Sequence, residues 1–521
     1  MTSRKPNVVL IITDQQRFDT IRAAGQPMVQ TPRLDRVANE GTLFTHAYCT
    51  SPMCSPSRTS ILSGRFPHSH GMVANHQAAP GDERMRLDED VKLLADYLGP
   101  AGYSTAYVGK WHLGTGSDRR GFRDFVIRFG DGEGDTSCPE DNDYVRYAEK
   151  LGIQVGGKRH GIDPDPTRYD PWTLCGPSLA PLADFGATYA CNQAETYIRN
   201  QADGERPFLL TYSCIEPHAP FVCPEPFYSM YDPEDMSLPA NHGDRSGLRW
   251  LQRADWQLHS ALEFSEIELK TMWARYLGTV SFIDHLMGRL LGALSDTGQL
   301  DNTLFIFTSD HGDMMASHSL LLKGASLYEE LIRVPLIVRL PAEMRSGGIN
   351  HHCDGLISQV DIVPTILSIC GLPPQEEVEG VDFSPLLRGE AQGVRDAVQA
   401  EFHSTSWTDP MSPLRMWRTE DWKYVESRDG DHELYHLAHD PGETCNLADD
   451  PQHAGVRTEM AEMLHNWCRR TGDGWPEVPT PSAEDMQDVG WKLKVVERPK
   501  WFHRKPKTPN PKRGHTGSRE K

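Results

Sequence analysis

The chain has 521 residues, a formal charge of −20 at pH 7, 38% apolar residues and twelve tryptophans. That is more chain than one ordinary hydrophobic core supports, so a large domain with a smaller one attached is expected. The acidic balance excludes a nucleic-acid groove made by the whole surface, although a local basic pocket can still bind an anion.

The first apolar run, Asn7 to Thr13, has the length of a strand and reads as the middle of a parallel sheet buried on both faces. Asp14-Gln15 follows it directly. Preceded by Arg4-Lys5, the apolar part of this run is too short for a signal-peptide core, and no other stretch reaches transmembrane length, so a cytoplasmic protein away from membranes is expected.

Cys54-Ser55-Pro56-Ser57-Arg58 places a thiol, a proline and an arginine where a helix should begin. With Pro56 in the first turn its missing N–H is no loss and its φ is already helical. Cys54 then faces the positive end of the helix, and Arg58, four residues on, can hold an anion beside it. That combination is a site for an oxyanion ester.

Val91 to Gly99 reads as helical, and the region from about Gly116 to Gly186, rich in Gly, Asp and Pro, reads as insertion loops that could wall a pocket. Ala187 to Asn200 is a helix candidate, and Phe208 to Tyr212 and Pro335 to Val338 are strand candidates. Tyr276, Val280, Ile283, Met287, Leu290, Leu291 and Leu294 recur at three- and four-residue intervals, marking a long amphipathic helix. Thr303 to Ser309 repeats the character of the first strand, and Asp310-His311-Gly312-Asp313 follows.

Both acids therefore leave carboxyl ends of strands, the edge of an open α/β sheet where ligands bind. Asp14, Gln15, Asp310 and His311 form a mostly hard donor set suited to calcium, magnesium or manganese. An aspartate at a strand end also caps the next helix as readily as it binds metal.

Alternation of strand and helix predicts an α/β/α sandwich with a large mixed, mostly parallel sheet over residues 1–375. Residues 376–476 read as a smaller α+β domain with an antiparallel sheet: Arg415 to Arg418 and Lys423 to Val425 as a hairpin, Glu433 to Tyr435 as a further strand, Thr458 to Cys468 as a closing helix. Residues 477–521 form an extended, basic, proline-rich tail, read as flexible or as an arm on a neighbouring subunit of a homo-oligomer rather than as a nucleic-acid binder. Eleven cysteines, odd in number and without C-x-x-C pairs, suit reduced thiols.

Cys54-x-Pro56-Ser57-Arg58 continued by Leu62-Ser63-Gly64-Arg65 resembles the signature of the sulfatase family, in the alkaline phosphatase superfamily, and the resemblance runs from about residue 6 to about residue 450. It implies that a maturation enzyme oxidises Cys54 to formylglycine, whose hydrate places one oxygen on the metal, making Cys54 a metal ligand with Asp14, Gln15, Asp310 and His311, and that this oxygen attacks a small-molecule sulfate ester. Gly109-Lys110-Trp111-His112 resembles a family segment in which the lysine contacts diol and sulfate and the histidine assists deprotonation. Glu216-Pro217-His218 resembles the segment whose histidine touches sulfate oxygens or protonates the leaving group, and Lys323 matches the lysine aimed at the ester oxygen.

Many relatives carry Asp-Asp where this chain has Asp14-Gln15, which resembles the choline-sulfatase and phosphonate monoester hydrolase branches. That leaves calcium and manganese, and the substrate class, open. Asn75 resembles a pocket asparagine of the phosphonate branch, whereas His68, His70, His76 and His318 read as pocket rim or ordinary polar positions. The expected activity is sulfate ester hydrolysis; the alternatives are phosphonate monoester or phosphodiester hydrolysis at the same site, and a non-catalytic anion-binding protein with Cys54 unoxidised.

Overall fold

Residues 5–75, 87–113, 120–129, 143–152, 175–244, 261–345, 351–403, 413–428 and 430–475 are described by a computed structural model. Most of the Gly116 to Gly186 insertion, His76 and the tail from residue 477 lie outside them.

The chain runs β1 (Asn7–Thr13), α1 (Pro32–Glu40), β2 (Thr42–Tyr48), α2 (Cys54–Ser63), α3 (Pro67–His70), α4 (Leu94–Leu98), β3 (Ser104–Lys110), β4 (Phe125–Phe129) and α5 (Asp143–Lys150). It continues through β5 (Cys175–Pro177), α6 (Gly186–Asn200), β6 (Phe208–Ser213), β7 (Phe221–Cys223), α7 (Glu266–Asp296), β8 (Thr303–Ser309), α8 (Glu329–Ile332) and β9 (Arg333–Arg339). The last elements are β10 (His352–Cys353), β11 (Ile357–Ser358), α9 (Ile362–Ile369), α10 (Ser384–Leu387), β12 (Val398–Phe402), β13 (Leu414–Arg418), β14 (Trp422–Ser427), β15 (His432–His436) and α11 (Ala454–Thr471).

The main sheet has the order β10-β2-β9-β8-β1-β6-β3-β4, with β11 also on β2. Within it β9 runs against both of its neighbours, β8 and β2, while the other pairings are parallel. All seven residues of β1 are buried, since both faces of the sheet are covered. Val8, Leu10 and Ile12 pack with α2, α4 and α9, and Val9 and Ile11 pack with α1, α6 and α7 on the opposite side. Thus alternate residues of one strand serve two cores, which is why the run shows no polar alternation.

A second, four-stranded antiparallel sheet has the order β12-β13-β14-β15, and its β13–β14 pair is the hairpin expected from Arg415 to Val425. Two elements differ from the sequence reading. The helix expected from Val91 begins at Leu94, and the loop-like Gly116 to Gly186 region holds β4, an edge strand whose pairing with β3 is invisible to local periodicity. Cys49, Cys54, Cys191, Cys214, Cys223, Cys353, Cys370, Cys445 and Cys468 are free thiols, and among the described residues no helix is long and apolar enough to cross a membrane.

Candidate active site

Strand register builds the floor of the site. Thr13 of β1 pairs with Ser309 of β8, so Asp14 and Asp310 leave neighbouring parallel strands at the same level, and the Asp310 N–H donates to the Thr13 carbonyl at 3.1 Å. On the other side, β6 ends at Ser213 and β3 at Lys110, with Gly109 opposite Ser213. Gly109 has φ +111°, and a Cβ there would lie 1.9 Å from the Ser213 carbonyl oxygen, so only glycine lets the strands stay paired up to Lys110.

α2 delivers the thiol from above. It starts at Cys54 after an extended Met53, and its first backbone bond runs from Ser57 N–H to the Met53 carbonyl, so Pro56 lies among residues whose N–H has no helical partner anyway. Ser57 Oγ donates to Gln359 Oε1 or the Asp310 carbonyl, and Gln359 Nε2 donates to the Ser309 and Asp310 carbonyls, tying the helix start to the end of β8. Asn75 Oδ1 accepts the Ser55 N–H at 3.1 Å, satisfying one of the donors at the helix start.

Cys54 Sγ lies 3.2 Å from His311 Nε2, 3.7 Å from Asp14 Oδ1 and 2.8 Å from Lys323 Nζ. Burial raises the Cys54 thiol, but Lys110, Lys323, His311 and His112 outweigh it and bring its pKa well below the ordinary value. The surroundings thus stabilise negative charge at position 54. Burial works against the Lys323 charge, yet Cys54, Asp14 and Asp310 together raise its pKa, so it is an ammonium. Lys323 Nζ also donates to His218 Nε2 at 2.8 Å, while His218 Nδ1–H donates to the Ala219 carbonyl.

Arg58 is 1% exposed, and the anions it holds are protein carboxylates. Its Nε donates to Asp310 Oδ2 at 2.9 Å, Nη2 to Asp14 Oδ2 at 3.1 Å and Nη1 to Ser213 Oγ at 2.6 Å. Lys110 Nζ donates to the same Asp14 oxygen. Burial and Cys54 push the Asp14 carboxyl up, but Lys110, His218 and Lys323 hold it far below the usual carboxylate range. Burial and Asp14 raise Asp310 despite His311 and Arg58.

Ligand atoms of Asp14, Cys54, Asp310 and His311 lie within 4.8 Å of one another, and all four residues are buried. His311 Nδ1 sits 2.8 Å from the Gly312 carbonyl, which only an N–H can approach, so Nε2 is the ring nitrogen left to face the site, 3.7 Å from Asp310 Oδ1 and 3.9 Å from Asp14 Oδ1. Gln15 Oε1 is buried without a hydrogen-bond partner, and Gln15 itself holds a left-handed φ of 66°. An imidazole nitrogen, two carboxylates and an orphaned amide oxygen fit a hard divalent cation.

The Sulfatase family model matches residues 6–372, and the model of the N-sulphoglucosamine sulphohydrolase C-terminal region matches residues 319–470. This chain belongs to the sulfatase family. An arylsulfatase of Clostridium perfringens is 30% identical over 465 residues, 86% of this chain and 91% of the relative. A choline-sulfatase of Rhizobium meliloti is 26% identical over 468 residues, 87% and 84% of the two chains. Among solved structures, phosphonate monoester hydrolase of Agrobacterium radiobacter superposes with a TM-score of 0.75 at 26% identity, covering 89% of this chain and 96% of that one.

Ten of the residues singled out in the sequence therefore gather around one point, and Asn75 supports the helix start beside it. Sequence reasoning assigned no role to Ser57, Gln359 and Ser213, which fasten Arg58, α2 and the strand ends together; only Ser57 lay inside a recognised motif. His68 lies outside this cluster: it and His403 bond Glu401, at 2.5 and 2.9 Å, and Arg415 spans both oxygens of Asp473 nearby, a closed ion-pair network. His70 and His318 are buried polar positions.

Proposed function

We propose that this protein hydrolyses sulfate esters, using formylglycine derived from Cys54 and a divalent cation held by Asp14, Gln15, Asp310 and His311. The observation that carries the reading is the position of Cys54 Sγ, within hydrogen-bond reach of Lys323 and His311 and at the start of α2. Sγ marks where the oxygens of the hydrated aldehyde would sit. Formylglycine would supply a hydroxyl nucleophile, and the cation, calcium by preference with manganese and magnesium as the other hard ions, would take up charge on sulfate oxygens.

The chain's own residues do the rest. Lys110 and Lys323 bring positive charge to the group at position 54, where the sulfate oxygens gain charge during attack. His112, which helps to lower the pKa of the group at position 54, is placed to take a proton from the nucleophile. His218 Nε2 and Lys323 Nζ share a hydrogen bond, so a proton given to the departing alcohol leaves from this pair. Arg58 is buried with its donors on Asp310, Ser213 and Asp14, and acts by positioning the two aspartates.

Mass spectrometry of the tryptic peptide containing Cys54 and ending at Arg58 tests the reading directly. An aldehyde, or its hydrate, is expected when a formylglycine-generating enzyme is present; an intact thiol there would overturn it. Phosphonate monoester hydrolysis is the second reading, favoured by the Gln15 and His311 pair and by the likeness to the Agrobacterium enzyme. The ratio of rates on an aryl sulfate and an aryl phosphonate separates the two.

A further inference from the structure

Asp313 belongs to none of the roles above, yet it touches Gln15, which does. Gln15 donates its backbone N–H to Asp310 Oδ1 at 2.9 Å and its side-chain Nε2 to Asp313 Oδ2. Asp313 Oδ1 accepts two more N–H groups, from Met315 at 2.8 Å and Leu322 at 3.0 Å. Three donors meet this carboxylate, so it is an acceptor throughout. Leu322 precedes Lys323, and Met315, Ala316, His318, Ser319 and Leu322 all have positive φ, a costly backbone that needs holding.

We propose that Asp313 is a positioning residue that turns the Gln15 amide so that Oε1, not Nε2, is offered to the cation, and that it strengthens Oε1 as a ligand. The inference rests on the reading of Asp14, Gln15, Asp310 and His311 as cation ligands. An amide presents either an acceptor or a donor after a half-turn, and a donor facing a cation is repelled. Accepting from Nε2 fixes which end faces outward, and polarises the amide toward a more negative oxygen. A charged carboxylate behind a neutral ligand thereby returns part of the negative charge that an aspartate at position 15 would have supplied.

The test is cation affinity of the stripped protein, with Cys54 unmodified, by calorimetric titration with calcium and with manganese. Asp313→Asn keeps an Oδ1 for Met315 and Leu322 but sets an NH2 against Gln15 Nε2, so affinity should fall about 10–100-fold. Gln15→Glu added to Asp313→Asn reverses the polarity of the bond and should recover most of the loss.

A merely structural role would lower the melting temperature of the cation-free protein, leave affinity unchanged and give Gln15→Glu no power of rescue. Unchanged affinity in Asp313→Asn, or no rescue, overturns the proposal. Should Asp313→Asn fail to fold, Gln15→Met gives the second arm: it should lose affinity by a similar factor, and affinity equal to the wild type overturns the proposal. Wild-type protein that binds neither cation would overturn the cation-site reading itself, an outcome distinct from binding that ignores Asp313.

Discussion

Arg58→Ala exposes how much of this site is held by one buried fork. The guanidinium reaches Asp310 and Asp14 at 2.9 and 3.1 Å with the side chains 1% exposed or less, so truncation leaves two desolvated carboxylates facing each other. Removing one partner of a buried ion pair costs about 3–5 kcal/mol. Lys110 and Lys323 remain beside Asp14, so we take that range once rather than twice. With an unfolding entropy of about 2.1 cal/mol/K per residue over the compact unit Met1–Glu477, this becomes a fall in melting temperature of about 3–5 °C. Scanning calorimetry in chelator measures it, and Arg58→Lys, which keeps the charge without the fork, should fall between. On the proposed cation-site reading, calcium would neutralise the same carboxylates, so it should raise the melting temperature of Arg58→Ala more than that of the wild type. A melting temperature in chelator equal to the wild type would refute the reasoning, because the two aspartates would then need no arginine.

Cys54→Ala should abolish turnover while the circular dichroism melt stays cooperative; residual wild-type turnover would remove Cys54 as nucleophile. Gly109→Ala forces a Cβ to 1.9 Å from the Ser213 carbonyl at φ +111°, so a loss of about 3 kcal/mol in denaturant unfolding is expected, with β3 displaced under Lys110. Asp284 of α7 accepts the N–H groups of Arg33 and Leu34 at the start of α1, and burial, opposed by those bonds, pushes its pKa up to about 7. Between its unfolded value near 4 and this folded value the native state holds a proton that the unfolded chain has lost, so this group's stabilisation falls as pH rises through that window. Asp284→Asn retains an oxygen for both N–H groups and should remove up to about 4 kcal/mol of that slope, read by urea unfolding at the two ends of the window.

The chemistry was legible in the sequence wherever it depends on neighbours along the chain. The β1 and β8 runs announce themselves because a strand covered on both faces is apolar throughout, and Cys54-x-Pro56 announces a helix start because proline suits a first turn. Gly109 next to Lys110, and Gln15 after Asp14, carried enough local character to be noticed.

Tertiary structure alone decided what those residues touch. Asp14 and Asp310 share a site because Thr13 pairs with Ser309, a register set by side-chain packing on both faces of the sheet. Arg58 holds aspartates, not an open anion site, because α2 descends onto the ends of β1 and β8, and Asp313 reaches Gln15 because those two strands end side by side. The edge strand β4 escaped sequence reading since its partner lies outside any local window. A residue's type limits the bonds it can make, but which of them forms depends on groups brought near from hundreds of residues away, and only the packed fold contains that information.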